Sequence, residues 1–140
     1  MSAPLEAGAE LPEWNVGRQS RTHIVRYQGA SGDFNPIHHD DEFARSGGMP
    51  GAFSVGMLQA GYLGTYCTDL YGTENVRRIN VRFSEQVWPG DVLVCSGRVA
   101  HATTDPGTGQ QTLELELAIR REGGGVAVTG VASVVVPTTT

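Results

Sequence analysis

Apolar and polar positions follow two different periods along this chain. Beyond Gly72, Ile79, Val81 and Phe83 alternate with Asn80, Arg82 and Ser84. Leu113, Leu115, Leu117 and Ile119 alternate with Thr112, Glu114, Glu116 and Ala118. A period of two predicts strands with one wet face. Val92 to Thr103 and Val126 to Val136 read as further strands, separated by Asp105-Pro106-Gly107-Thr108-Gly109 and Glu122-Gly123-Gly124-Gly125, with Pro89-Gly90-Asp91 as a turn before them. The last three strands are expected to form an antiparallel meander. Before Gly72, Ala60, Leu63, Cys67 and Leu70 recur at helical spacing, predicting a helix over Gly56 to Leu70 with those residues as its buried stripe. Met57, Gly61, Gly64 and Thr68 lie alongside. A glycine inside a helix costs about 1 kcal/mol relative to alanine, so this small-residue face predicts close packing against a sheet or a ligand. One long helix followed by an antiparallel sheet is an α+β order.

Shorter elements come first. Thr22 to Gly29 reads as a short helix or an extended lead-in. Asp40 to Ser46 reads as a short helix whose acidic start suits the exposed amides. Gly47-Gly48-Met49-Pro50-Gly51 is a flexible turn. Met1 to Glu10, rich in Ala, Gly, Pro and Glu, is expected to be a loose tail ahead of one domain covering residues 11–140. A length of 140 residues suits a single domain with a real core.

Charge narrows the partners. The formal net charge is −5 and all ten basic residues are Arg. Without a basic stripe for phosphates, a nucleic-acid surface is not expected. No apolar segment is long enough to cross a bilayer, and no charged start followed by an apolar run marks a leader. Cys67 and Cys95 stand apart in apolar surroundings, which predicts buried free thiols in a reducing compartment. A cytoplasmic protein is therefore expected, with no membrane partner.

Ser31-Gly32-Asp33-Phe34-Asn35-Pro36-Ile37-His38-His39-Asp40 carries the chemistry. Gly32 can adopt left-handed geometry, and Pro36 pushes Asn35 toward an extended conformation. The run is a shaped loop across which Asp33 and His38 can converge, and a carboxylate facing an imidazole over a water-sized gap is a proton-transfer apparatus. The residues alone leave two other readings open. Ser-Gly-Asp and Asn-Pro are also ordinary turn chemistry. A metal site from Asp33, His38, His39 and Asp40 is a third reading, although the adjacent histidines lack ligand spacing and no distant Cys, His or Glu completes the set.

The stretch Tyr27-Gln28-Gly29-Ala30-Ser31-Gly32-Asp33-Phe34-Asn35-Pro36-Ile37-His38, followed by Phe43-Ala44, resembles the signature of the MaoC-like family of R-specific enoyl-CoA hydratases and 3-hydroxyacyl dehydratases. The likeness continues through Gly56-Met57-Leu58, Val81-Arg82-Phe83 and Pro89-Gly90-Asp91, and covers roughly residues 11–137. It implies a hotdog fold, in which an antiparallel sheet wraps around one long central helix. A lone sheet of this kind leaves an exposed edge, and the family pairs two hotdogs, so a homodimer, or a heterodimer with another hotdog subunit, is expected. The resemblance implies hydro-lyase activity on an acyl-CoA or acyl-carrier-protein substrate, in fatty acid or related metabolism. Asp33 and His38 would be the catalytic pair, Asn35 and Ser31 their supports, and the Gly56 backbone amide the oxyanion donor. No metal and no cofactor is implied.

The chain departs from the family at Val55-Gly56-Met57, where relatives commonly carry His-Gly-Met, and at Gly61, where some hydratases carry Ser. The departures leave the acid-base pair intact and bear on how the thioester is held. They keep open a second reading, a non-catalytic acyl-binding protein or one subunit of a heteromeric dehydratase. A hotdog thioesterase would need a carboxylate on or near the central helix, and Gly56 to Thr68 contains none. Val55 is expected at the rim of the site. The acyl tunnel is expected to be shaped by Met49 to Phe53, Tyr62 and Tyr66, while Arg45, Arg77, Arg78 and Arg82 are ordinary surface charges that could meet CoA phosphates. His39 is expected to point away from His38, and His23 and His101 to be surface or satisfied core residues.

Overall fold

In β4 (Gln111–Arg121) the alternation works as read: Leu113, Leu115, Leu117 and Ile119 are buried, while Glu114 and Glu116 face solvent. Each such side chain stabilises the fold by about 1.5–3 kcal/mol on burial. The computed structural model describes residues 3–137. β4 pairs antiparallel with β3 (Val92–Thr104) and with β5 (Val126–Val136), giving the expected meander. β2 (Val76–Phe83) adds to β5, and β1 (Trp14–Arg18) adds to β3, so the five-stranded order is β1-β3-β4-β5-β2.

The long helix α3 (Gly56–Tyr71) lies across this sheet. Its buried face is Gln59, Leu63, Tyr66, Cys67 and Tyr71, so the stripe is rotated from the expected one. Ala60 and Leu70 are only half-buried. The rotation is possible because the polar tips find partners. Tyr66 Oη donates to Pro12 O at 2.8 Å, Tyr71 Oη to Pro4 O at 2.7 Å, and Gln59 Nε2 to Ser54 Oγ at 2.8 Å. The close approach falls on the sheet side. A Cβ added at Gly130 in β5 would stand 3.3 Å from Leu63 Cδ1 and 3.1 Å from Asn80 O. At Gly61 and Gly64 an added Cβ would meet no neighbour within 4 Å among the described residues, so nothing there packs against these two glycines.

α1 (Arg21–Ser31) is a full helix. Ser20 caps it by accepting from His23 N while His23 Nδ1 accepts from Ser20 N, a reciprocal capping box, so His23 has a structural role. α2 (Asp41–Ser46) starts where the acidic run predicts, with the Asp40 carboxylate accepting from Phe43 N at 3.1 Å. β1 was not expected from the pattern. Gly17 sits at φ +95° beside a register shift against β3, and Asn15 and Gly17 are poor strand formers. Residues 3–10, expected as a tail, run beside β3, with Gly8 N donating to Val99 O at 2.7 Å and Glu10 bridging to Arg98. Among the described residues no helix is long and apolar enough to cross a membrane.

Candidate active site

The loop after α1 begins with a change of backbone hand. Gly32 has φ +77° and ends the helix by donating to Gln28 O at 2.9 Å. Short bonds then shape the turn. Ser31 Oγ accepts from Asp33 N at 3.3 Å, and Asp33 Oδ1 accepts from Asn35 N at 3.3 Å. Asn35 Oδ1 accepts from Ile37 N at 3.1 Å, capping a single 3-10 turn, Pro36–His38, with Pro36 preset for its start. Asn35 and Ser31 thus hold the loop's shape.

His38 is fixed from the far side. Its Nδ1 donates to Phe53 O at 2.8 Å, since a carbonyl only accepts, and this leaves Nε2 as the lone-pair nitrogen of the neutral ring. Nε2 lies 3.9 Å from Asp33 Oδ2, too far for a direct hydrogen bond. One water about 2.8 Å from both atoms would subtend roughly a right angle between them. The imidazole is nearly buried, at 11% side-chain exposure, and Asp33 is open at 47%. The Phe53 ring packs edge-on against His38 with centroids 5.3 Å apart, and Trp88 continues the aromatic wall. The pair can hold a water, take its proton and pass one on.

Asp33 and His38 thus come together, and the neighbouring acid and imidazole do not join them. His39 turns the other way, its Nδ1 meeting Gln28 Oε1 at 3.0 Å, and Asp40 is occupied as the α2 cap. Among the described residues no group of three or more His, Cys, Asp or Glu could hold a metal ion.

Gln28 escaped the sequence reading. It lies in α1 at 2% exposure, and its Nε2 donates to Asp33 O at 2.9 Å and Asn35 O at 3.1 Å. A glutamine in a helix carries no visible signal of burial. Its nearness to the Gly-Asp-x-Asn-Pro run was the only hint.

Gly56 opens α3, and Val55 offers no side-chain cap to its first-turn amides. Those amides carry the positive end of the helix dipole. Val55 is 3% exposed, which makes it a core residue and corrects its expected place at the rim. Beside Gly56 lies a cavity of about 170 Å³, lined by Phe53, Ser54, Gln59, Phe83 and Val87 among others. Of the residues expected to shape a tunnel, Phe53 lines it. Tyr62 and Tyr66 do not: Tyr62 Oη donates to Gln19 Oε1 at 2.8 Å, and Tyr66 lines a separate hollow with Pro12 and Trp14.

A family model described as the MaoC like domain matches residues 8–116. The chain belongs to the MaoC-like family. This MaoC-like chain is 39% identical over 86 residues to the peroxisomal hydratase-dehydrogenase-epimerase of Neurospora crassa, a match covering 61% of the chain and 9% of that protein. It is 30% identical over 79 residues to a probable enoyl-CoA hydratase 2 of Dictyostelium discoideum, covering 53% of the chain and 26% of that protein. The chain therefore corresponds to only a small part of these curated relatives. Among solved structures it resembles the (R)-hydratase from A. caviae involved in PHA biosynthesis, with TM-score 0.81 and 25% identity over 95% of this chain and 98% of that one. It also resembles the ChsH1-ChsH2 complex from Mycobacterium tuberculosis, with TM-score 0.81 and 24% identity over 96% and 100% of the two chains, a likeness of fold. The MaoC-like chain has the hotdog fold: one central helix against a five-stranded antiparallel sheet.

Proposed function

We propose that this protein is an R-specific hydro-lyase, adding water across the C2–C3 double bond of a 2-enoyl thioester and removing it from the R-3-hydroxyacyl thioester. The substrate is linked to CoA or to an acyl carrier protein. The observation that supports this most is the Asp33–His38 pair: a carboxylate and an imidazole 3.9 Å apart, with the far ring nitrogen held by Phe53 O. Asp33 and His38 bind one water between them. Its proton is taken as the oxygen bonds to C3, and a proton is delivered to C2, so the net change is addition of one water. Charge that builds on the thioester oxygen is met by the Gly56 amide at the helix start. Ser31 and Asn35 keep Asp33 in register, through bonds to Asp33 N and Ile37 N.

The functional unit in this reading is a pair of hotdogs, either two copies or this chain with a second hotdog subunit. β2 ends the sheet, and Met57, Phe83 and Val131 around it are 57%, 50% and 47% exposed. An open edge with apolar neighbours favours pairing with another sheet.

The test is loss of enoyl-thioester absorbance with crotonyl-CoA and a longer trans-2-enoyl-CoA, for the parent and for Asp33→Asn. Turnover that falls by about 10²–10⁴-fold in the variant is the expected result. Unchanged turnover in a folded variant would refute the acid-base assignment.

A further inference from the structure

The cavity beside Gly56 has a wall of buried polar residues, Ser54 and Gln59, and another of exposed ones, Ser84, Glu85 and Gln86. Gln59, one turn into α3, is 2% exposed, and Ser54, just before the helix, is 3% exposed. Ser54 is anchored through its backbone, whose N–H donates to Val87 O at 2.8 Å. Its Oγ accepts from Gln59 Nε2 at 2.8 Å. Gln59 Oε1 and the Ser54 hydroxyl proton then have no partner among the described residues, and both residues line the cavity. Val87 and Val128, at 2% and 1% exposure, also line it and are apolar.

Buried polar groups are normally paired, and covering one with an alkyl group removes its water without replacing the bond. A plain hydrocarbon tail is thus a poor match to the buried polar wall. The volume, about 170 Å³, is near the roughly 150 Å³ of an engineered cavity that takes benzene. A short chain of about six carbons is therefore of suitable size. Gln59 stands three residues beyond Gly56, about 4.5 Å along the helix axis, and helical side chains tilt toward the N-terminus. Its amide would meet an acyl chain a few carbons past the thioester.

We propose that this cavity receives the acyl tail and that Gln59 and Ser54 select short acyl thioesters carrying a hydroxyl or carbonyl oxygen beyond C3. Gln59 Oε1 accepts from a substrate hydroxyl, and the Ser54 hydroxyl donates to either kind of oxygen. The inference rests on the acyl-thioester reading above and adds the substrate class.

Binding separates the two. Hexanoyl-CoA and its 4-, 5- and 6-hydroxy derivatives lack the double bond and are titrated calorimetrically into the parent, Gln59→Met and Ser54→Ala. At least one hydroxylated thioester should bind about 10-fold or more tighter than hexanoyl-CoA, a margin that falls to near unity in volume-conserving Gln59→Met. Urea midpoints confirm that each variant is folded. Hexanoyl-CoA binding as tightly as all three derivatives, or a preference that survives in both variants, overturns the assignment. Failure of all four ligands to bind the parent overturns it together with the acyl-thioester reading. Hydroxyl preference without crotonyl-CoA turnover overturns the hydratase reading alone.

Discussion

Replacing Gln28 with Leu keeps the side-chain volume and removes all the bonds of its buried amide. The structure shows what is lost: donation to Asp33 O at 2.9 Å and to Asn35 O at 3.1 Å, and acceptance from His39 Nδ1 at 3.0 Å. Asn35 O keeps a partner in His38 N at 3.2 Å, whereas Asp33 O is left with no partner among the described residues. At about 1 kcal/mol net per bond, the loss is about 3 kcal/mol, tolerable against the 5–15 kcal/mol typical of a domain. The catalytic effect should be larger than this implies, because the two halves of the pair are held separately. His38 hangs on Phe53 O and stays, while Asp33 keeps only its two 3.3 Å bonds, to Ser31 Oγ and from Asn35 N, and gains freedom to shift. A misplacement of about 1 Å can lower turnover by about 100-fold. Urea unfolding reports the stability change, and crotonyl-CoA kinetics should show kcat falling with KM little changed. His39→Ala removes only the outer bond and should change kcat by a few-fold at most, about 1 kcal/mol or less. Gln28→Leu that is destabilised yet keeps parental kcat would refute the positioning role, as would His39→Ala falling equally far.

Val55→His inserts an imidazole at a position 3% exposed, where nothing is arranged to pair it, and should lower stability by about 1–3 kcal/mol. A urea midpoint equal to the parent's would return residue 55 to the rim of the site. The Ala52 amide and then Arg21 hold the Asp41 carboxyl below its ordinary 3.8. A depressed pKa stabilises above the unfolded value, and that contribution is lost as pH falls through the folded one. Asp41→Asn should therefore melt below the parent at pH 7, with the gap closing under acid conditions below the ordinary value; a gap independent of pH contradicts it. Burial pushes the Cys67 thiol up to about 11 and Cys95 to about 12. Neither should react with a disulfide reagent at pH 8 until urea unfolds the chain. Since unfolded thiols ionise first, near 9.0, stability should fall as pH rises above that value toward the folded ones. Rapid native-state labelling would refute the burial argument.

Regular alternation made the β4 strand and the meander legible, and helical spacing made α3 legible, because burying apolar side chains on one face dominates both. The face of α3 was read slightly off for a chemical reason. Tyr66, Tyr71 and Gln59 look polar in the sequence, yet each is buried because its polar atom meets Pro12 O, Pro4 O or Ser54 Oγ. β1 was hidden because its Gly17 bulge interrupts the period and its pairing depends on β3, about 75 residues away in register. In the site, Asp33, Asn35 and His38 stood out by local spacing. The backbone carbonyl that fixes the His38 ring has no letter of its own, since any residue at position 53 supplies one.

The two buried glutamines show how the structure separates holding from recognition. One lies on α1, just before the loop, the other on α3, and both are 2% exposed. Gln28 has two donations and one acceptance, all directed at the loop or at His39, so no N–H remains for a ligand and its oxygen is already engaged. Gln59 has one donation, to Ser54; its Oε1 has no partner among the described residues, and the residue lines a cavity. Composition cannot distinguish the two, but hydrogen-bond saturation can. A saturated buried amide loses function through displacement of its neighbours, so a volume-conserving change at Gln28 should lower kcat for every substrate alike. An unsaturated one loses function chiefly toward ligands that complete it, so Gln59→Met should lower kcat/KM for hydroxylated enoyl thioesters more than for plain ones of equal length.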